Sequence, residues 1–339
     1  MGLANPLKSS ISLRGMKQSL QLSLVISTAA AASQSPVGQL PINLDYIPDL
    51  KLYNISTNLL HDNSPQKGPS SYIEDGLCLD IGPKDRPAFP IGHKNARFLD
   101  VQSRADLVKR YAKDFPKDFP KRIRSIPEID YVWNGSVSYA ALTGGIKFSY
   151  IHASHVLEHI ADPIGWFADV CEILDDDGVL EIKLPDWRFC FDYRRRPSSF
   201  SEIIAAYLEN RKSPSAYSAY ESHIYTHPKH IHVTPRYPDD FRFSIDRHKQ
   251  ALKQAYRAAQ GQPNFNIHSW KWSAETFVQH LTLLNDLDLL QLKIIDGSVV
   301  PSRSYSIEFR LLLKKKAGQN NCAPFLARPG IRVPDSDRQ

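Results

Sequence analysis

The chain has 339 residues, 42% hydrophobic and 23% charged, with a formal net charge of +6 at pH 7. Such a composition excludes a disordered or low-complexity chain and fits one large globular domain with appendages. The modest positive excess permits anionic partners without demanding them. Four cysteines, Cys78, Cys171, Cys190 and Cys322, show no CxxC spacing, and the first three lie in apolar segments. Reduced, buried thiols and a cytoplasmic location are the economical reading.

Residues 1–70 are rich in Ser, Pro and Asn and read as a leader and loosely attached arm. Lys8, Arg14 and Lys17 precede an apolar stretch from Leu20 to Ala32. A signal peptide, a disordered leader and a start site set upstream of Met16 each account for that pattern. The stretch is too short to predict a membrane span.

From Tyr72 onward, short apolar runs alternate with helical patterns, which predicts a doubly wound, mostly parallel α/β sheet of seven strands. The strands fall at Leu77–Ile81, Ala96–Asp100, Ile129–Val132, Phe148–Ala153 and Val179–Leu184. The tandem KDFPKDFP, Lys113 to Pro120, reads as a solvated connector. Pro163–Leu174 carries Ile164, Phe167, Val170, Cys171 and Leu174 on one helical stripe, and Asp175–Gly178 reads as the turn that follows. The alternation stops after Pro185, and residues 188–273 read as an inserted helical lid that divides the core (71–187) from its C-terminal part (274–316). That part holds a helix, Ala274–Asn285, and two strands, Leu289–Ile295 and Tyr305–Leu313, which can pair antiparallel. Residues 317–339 read as a polar tail.

In such a sheet, ligands bind beyond the carboxyl ends of the strands at the switch point. This rule selects Asp80 to Asp85, Asp100, Asn134, Ser154 to His159 and Pro185 to Arg188. Asp100 closes the second strand, where a carboxylate can accept hydrogen bonds from both hydroxyls of a ribose or else cap a helix. The first turn, LCLDIGPKDRP, contains a single glycine, Gly82. A cofactor loop would ordinarily carry more, so the stretch is a working variant, a degraded loop or an ordinary strand end.

The ordered series CLDIGPKDRP, FLDV, IDYVWNG, FSYIHASHVLEHIADP and EILDDDGVLEIKLPD resembles the class I S-adenosylmethionine-dependent methyltransferases. It is most similar to a bacterial group whose first loop reads roughly EIGPxxRP and whose fourth strand ends in ASHVxEH, a group sometimes fused to sugar transferases. The likeness covers residues 77 to about 196. It implies S-adenosyl-L-methionine as cofactor, with Asp80, Gly82 and Pro83 around its methionine part, Asp100 on its ribose, Asn134 near its adenine, and Ser154 also in contact. The chain departs from the wider class in its single loop glycine, in Ser149 where an aspartate is common, and in Asn134 where an acid is usual.

His155, Asp186 and Arg188 are the expected catalytic residues, with His155 placed to act as a base near neutral pH. His155, Glu158 and His159 also fall at i, i+3 and i+4, a spacing similar to the ExxEH run of small-RNA 2'-O-methyltransferases, which bind a divalent ion there. A further ligand would come from His223, His227, His230 or His232. A plain helix end before Pro163 accounts for the run more simply, contact with substrate is a further alternative, and no metal is assigned. Arg194, Arg195 and Arg196 suit a phosphate or sugar, or a solvated face. Trp270 and Trp272 suit a sugar platform, or anchors that hold the lid to the core. The expected function is methylation of an oxygen or nitrogen on a small-molecule or glycan-like acceptor. The alternatives are a metal-assisted RNA 2'-O-methyltransferase, although no RNA-binding module is recognisable, and a non-catalytic binding protein on the same fold.

Overall fold

The run CLDI in strand β2 (Cys78–Ile81) is buried along its whole length, as a central parallel strand covered on both faces must be. In a computed structural model of the chain, the described residues are 40–41, 69–226, 244–262, 266–301, 307–318 and 322–324. Two units divide the chain, 1–38 and 39–339, and the first lies wholly outside the described residues, as does most of the expected leader and arm.

A two-residue strand β1 (Leu40–Pro41) joins β2, β3 (Ala96–Asp100), β4 (Tyr131–Val132), β5 (Phe148–Ser154), β6 (Leu174–Pro185), β7 (Leu292–Pro301) and β8 (Ile307–Lys315). The order across the sheet is β1-β7-β8-β6-β5-β2-β3-β4. Strands β4, β3, β2, β5 and β6 pair in parallel, whereas β6–β8, β8–β7 and β7–β1 are antiparallel. Seven of these strands are the expected ones, and β1 is an addition at the edge. The chain adds strands outward from β2 in one direction (β3, β4) and then from β5 in the other (β6), so the carboxyl ends of the parallel neighbours β2 and β5 open a crevice.

The α-helices are α1 (Pro69–Asp75), α2 (Arg104–Asp114), α3 (Phe119–Arg122), α4 (Tyr139–Thr143), α5 (Pro163–Ile173), α6 (Phe200–Leu208), α7 (Ala216–Tyr225), α8 (Ile245–Ala259) and α9 (Ala274–Asp286), with 3-10 turns at Ile123–Ser125, Leu157–His159 and Trp187–Phe189. Ser103 caps α2 by accepting from the Asp106 amide at 3.2 Å. The cap alternative for Asp100 is therefore taken by another residue. The expected stripe of α5 is buried as Ile164, Phe167, Val170 and Cys171 against Leu180 and Ile182 of the sheet core.

Four sequence expectations need correction. Asp175–Gly178 is a bulge inside β6, because Phe148 pairs with Leu174 while Tyr150 pairs with Val179. Strand β7 extends through the turn-rich stretch to Pro301, held by its antiparallel ladder to β8. The stretch from Leu157 to His159 is a single 3-10 turn, not a helix face. Two of the four cysteines are joined, Cys171 to Cys322 with Cα atoms 5.6 Å apart, and only Cys78 and Cys190 remain as buried thiols. Among the described residues no helix is long and apolar enough to cross a membrane.

The segment expected as a lid contains α6, α7 and α8. Its end returns to the core through Trp270 and Trp272, buried, stacked at 5.9 Å and joined to the β5 side by a bond from Trp270 Nε1 to the Ile160 carbonyl at 2.6 Å. These tryptophans are anchors, not an exposed platform. Arg195 is buried against Asp192, while Arg196 binds Tyr217 and Glu202 on the surface.

Candidate functional site

Gly82 leaves β2 with φ of +72°, and a Cβ there would lie 2.8 Å from Val156 Cγ2. Only glycine fits at that point. The rest of the turn is fixed without glycine. Lys84 takes a left-handed φ of +48°, and the Arg86 amide donates to the Pro83 carbonyl at 2.8 Å. Asp80 is buried, with Oδ2 accepting from the Ala88 amide at 2.7 Å and Oδ1 2.9 Å from His152 Nδ1. Asp85 receives the Tyr111 hydroxyl at 2.8 Å and pairs with Arg122 at 2.7 Å. Side-chain anchors thus replace the usual glycines, which makes LCLDIGPKDRP an ordered loop.

This loop borders a cleft lined by Gly82, Lys84, Asp100, Gln102, Trp133 and Tyr139 together with His155, Val156, His159 and Ile160. Asp100 stands in it with 3% exposure. Its Oδ1 accepts from the Gln102 amide at 3.2 Å, and its buried Oδ2 has no hydrogen-bond partner. Burial raises its pKa above the ordinary value, against the Gln102 hydrogen bond and the charge of Lys84. An open, buried carboxylate oxygen at a strand end fits a hydroxyl donor such as a ribose supplies. The residues present therefore fit a nucleoside cofactor.

Of the other expected residues, Pro83 and Ser154 line a second cleft on the far side of Gly82 and His155, together with Lys84, Arg86, Arg122, Lys183 and Glu308. Asn134 is exposed, with Oδ1 closing a turn to the Ser136 amide at 3.0 Å; its neighbour Trp133 lines the main cleft. Asp186 and Arg188 are not brought to the main cleft. The guanidinium grips both carboxylate oxygens, with Nε 2.9 Å from Oδ1, and also reaches Glu275 at 3.5 Å. This fork closes the start of the insertion.

His155 lies at the junction of the two clefts with a left-handed φ of +55°. Its Nδ1 is 3.3 Å from Glu158 and its Nε2 3.0 Å from Glu308. Burial pulls its pKa down, but hydrogen bonds and charge from the two carboxylates outweigh this and push it up to about 10. With a carboxylate at each ring nitrogen, both positions favour a bound proton, which argues against His155 as a general base. His159 is the opposite case: burial lowers its pKa to about 4, and its Nδ1 donates to the Ile267 carbonyl at 2.8 Å.

Sequence reasoning missed Gln102, Arg110 and Trp133 in the cleft, and also Glu308 and His268, which approach from distant parts of the chain. His223 bonds Gln250 at 3.2 Å, and His227, His230 and His232 lie outside the described residues.

A family model described as "Methyltransferase domain" matches residues 75–281, more than half of the chain. Among curated proteins none matches. Similar solved structures include the CcbJ methyltransferase from Streptomyces caelestis, 10% identical over 73% of this chain and 92% of that one, with a TM-score of 0.34. The trans-methyltransferase CalH in complex with SAH is 10% identical over 71% of this chain and 52% of its own, at a TM-score of 0.32. A TehB-like SAM-dependent methyltransferase from Corynebacterium glutamicum is 10% identical over 71% and 80%, at 0.27. The chain thus spans about half the length of CalH.

Proposed function

The chain belongs to the methyltransferase-domain family and is an S-adenosylmethionine-dependent methyltransferase, and on that premise we propose that it methylates an oxygen or nitrogen of a small-molecule or glycan-like acceptor. The observation that carries the placement of the cofactor is the buried, unpartnered Oδ2 of Asp100 beside the Gly82 turn. In this reading Asp100 accepts from the ribose hydroxyls, the Gly82–Lys84 turn holds the methionine part, and Trp133 covers the adenine in place of Asn134. The bound cofactor supplies an already activated methyl group, so the protein needs little acid–base power and works mainly by alignment.

The cleft continues past Arg110 and Asn266 into a wider one between α2 and the insertion, lined by Asp114, His223, Asp246, Arg247 and Gln250. A lining so rich in hydrogen-bonding groups suits a hydroxylated or amino-bearing acceptor, with residues 188–273 serving as the lid over it. His155, at the junction of the two clefts, would contact the acceptor. The test is transfer of isotope-labelled methyl from S-adenosylmethionine to panels of hydroxylated small molecules, amines, sugars and RNA. Label on a small molecule or sugar supports the reading. Label on RNA alone, or cofactor binding with no turnover on any panel, would replace it with one of the two alternatives.

A further inference from the structure

Glu158 and His159 in the turn after β5, and His268 in the segment returning from the insertion, come together with ligand atoms all within 4.8 Å of one another. Both imidazoles are already oriented from behind. His159 Nδ1 donates to the Ile267 carbonyl at 2.8 Å, and His268 Nδ1 lies 3.2 Å from Asp192 Oδ1. Each ring therefore keeps Nε2 as its open nitrogen, and a hydrogen bond to a carbonyl or carboxylate behind the ring is how metal-binding histidines are commonly held. Between them Glu158 is 2% exposed, and neither of its carboxylate oxygens has an aligned hydrogen bond. Its neighbours His155 Nδ1 at 3.3 Å and His159 Nε2 at 3.8 Å both face Oε1, which leaves Oε2 open. A buried carboxylate oxygen left open in this way is costly unless a donor or a cation completes it.

We propose that Glu158, His159 and His268 bind a divalent first-row transition-metal ion, joining the β5 turn to the segment that returns from the insertion. Two imidazoles and one carboxylate suit zinc or manganese and leave coordination positions open. Ligand bonds of about 2.0–2.2 Å would require the three atoms to close in on the ion. His155 keeps Glu308 as a partner when Glu158 turns to the ion.

Cys190, Asp192 and His268 form a second group of the same size, but its members are already occupied. Asp192 holds His268 and Arg195, and the Cys190 thiol donates to the Asp186 carbonyl at 3.4 Å. Asp192 is therefore the orienting group behind His268. The ion would sit beside the cofactor cleft, which His159 lines. This inference does not depend on the identity of the acceptor.

The test uses the full chain, stripped with chelator and titrated with Zn2+ by calorimetry and with Co2+ by visible absorption. The expected result is one ion per chain at micromolar affinity or tighter, with cobalt d–d bands and no sulfur-to-cobalt charge-transfer band. Glu158→Gln and His268→Gln should each weaken Zn2+ binding by at least about 100-fold, whereas Cys190→Ser should leave it unchanged. Folded protein that binds no stoichiometric Zn2+, a sulfur charge-transfer band, or loss in Cys190→Ser with retention in Glu158→Gln would overturn the site. If a ligand variant fails to fold, the cobalt spectrum of the unsubstituted chain still decides.

Discussion

Asp100 is the residue on which the cofactor reading leans most, and it separates binding from folding. Asp100→Ala removes a buried carboxylate with one open oxygen, so it should weaken S-adenosylmethionine binding by about 1.5–3 kcal/mol while leaving thermal stability unchanged or slightly raised. Calorimetry and a melting curve on the same sample check both halves. Gly82→Ala should impair both properties, because the new Cβ meets Val156 at 2.8 Å and the backbone is left-handed there. The place of Asp100 and Gly82 at the cleft was legible in the sequence because it follows from a strand end and a turn. Asp186 and Arg188 were not, since two residues that look free beyond a strand satisfy each other across two positions. Neither was His268: its partners Glu158 and Asp192 lie 110 and 76 residues earlier, and no local period marks such a meeting.

The antiparallel pair β6–β8 carries a charge network that the sheet needs in order to place Pro185 and Glu308 at its end. Glu181, buried in β6, accepts from the Tyr150 hydroxyl and pairs with Arg310 of β8. Burial raises its pKa, but His152, Lys183 and Arg310 outweigh that and lower it to about 2. Its folded pKa lies below the unfolded value, so its contribution to stability is present above about pH 4.5 and lost as pH falls toward about 2. Glu181→Gln should accordingly flatten the pH dependence of stability over that window, measured by urea unfolding at several pH values. A variant with the same slope as the parent would show that the network does not act through ionisation. Elements built on periodicity, β3 and α5 above all, were legible to within a residue. The bulge in β6 was not, because Asp175–Gly178 has the composition of a turn and only pairing with β5 decides that the strand runs through it.

At the scale of the molecule, the parallel sheet follows from the alternation of runs and helices, whereas the return of the insertion to the core depends on anchors that carry no period. Trp272 is one of them, 2% exposed and bonded through Nε1 to His280 at 3.1 Å. Trp272→Ala should destabilise the chain by about 3–5 kcal/mol. The Cys171–Cys322 bond ties the C-terminal segment to α5. Thiol titration in denaturant without reductant should therefore find two free thiols of four, those of Cys78 and Cys190. Four would mean that the bond does not form. The central claim is that the cleft between Gly82, Asp100 and His155 holds S-adenosylmethionine. Calorimetric titration of the folded chain with S-adenosylmethionine and with its demethylated product tests it most directly. The prediction is one site per chain in the micromolar range, about −7 to −8 kcal/mol, weakened in Asp100→Ala. Absence of binding heat from folded protein at high micromolar concentration, or equal affinity in Asp100→Ala, would contradict it.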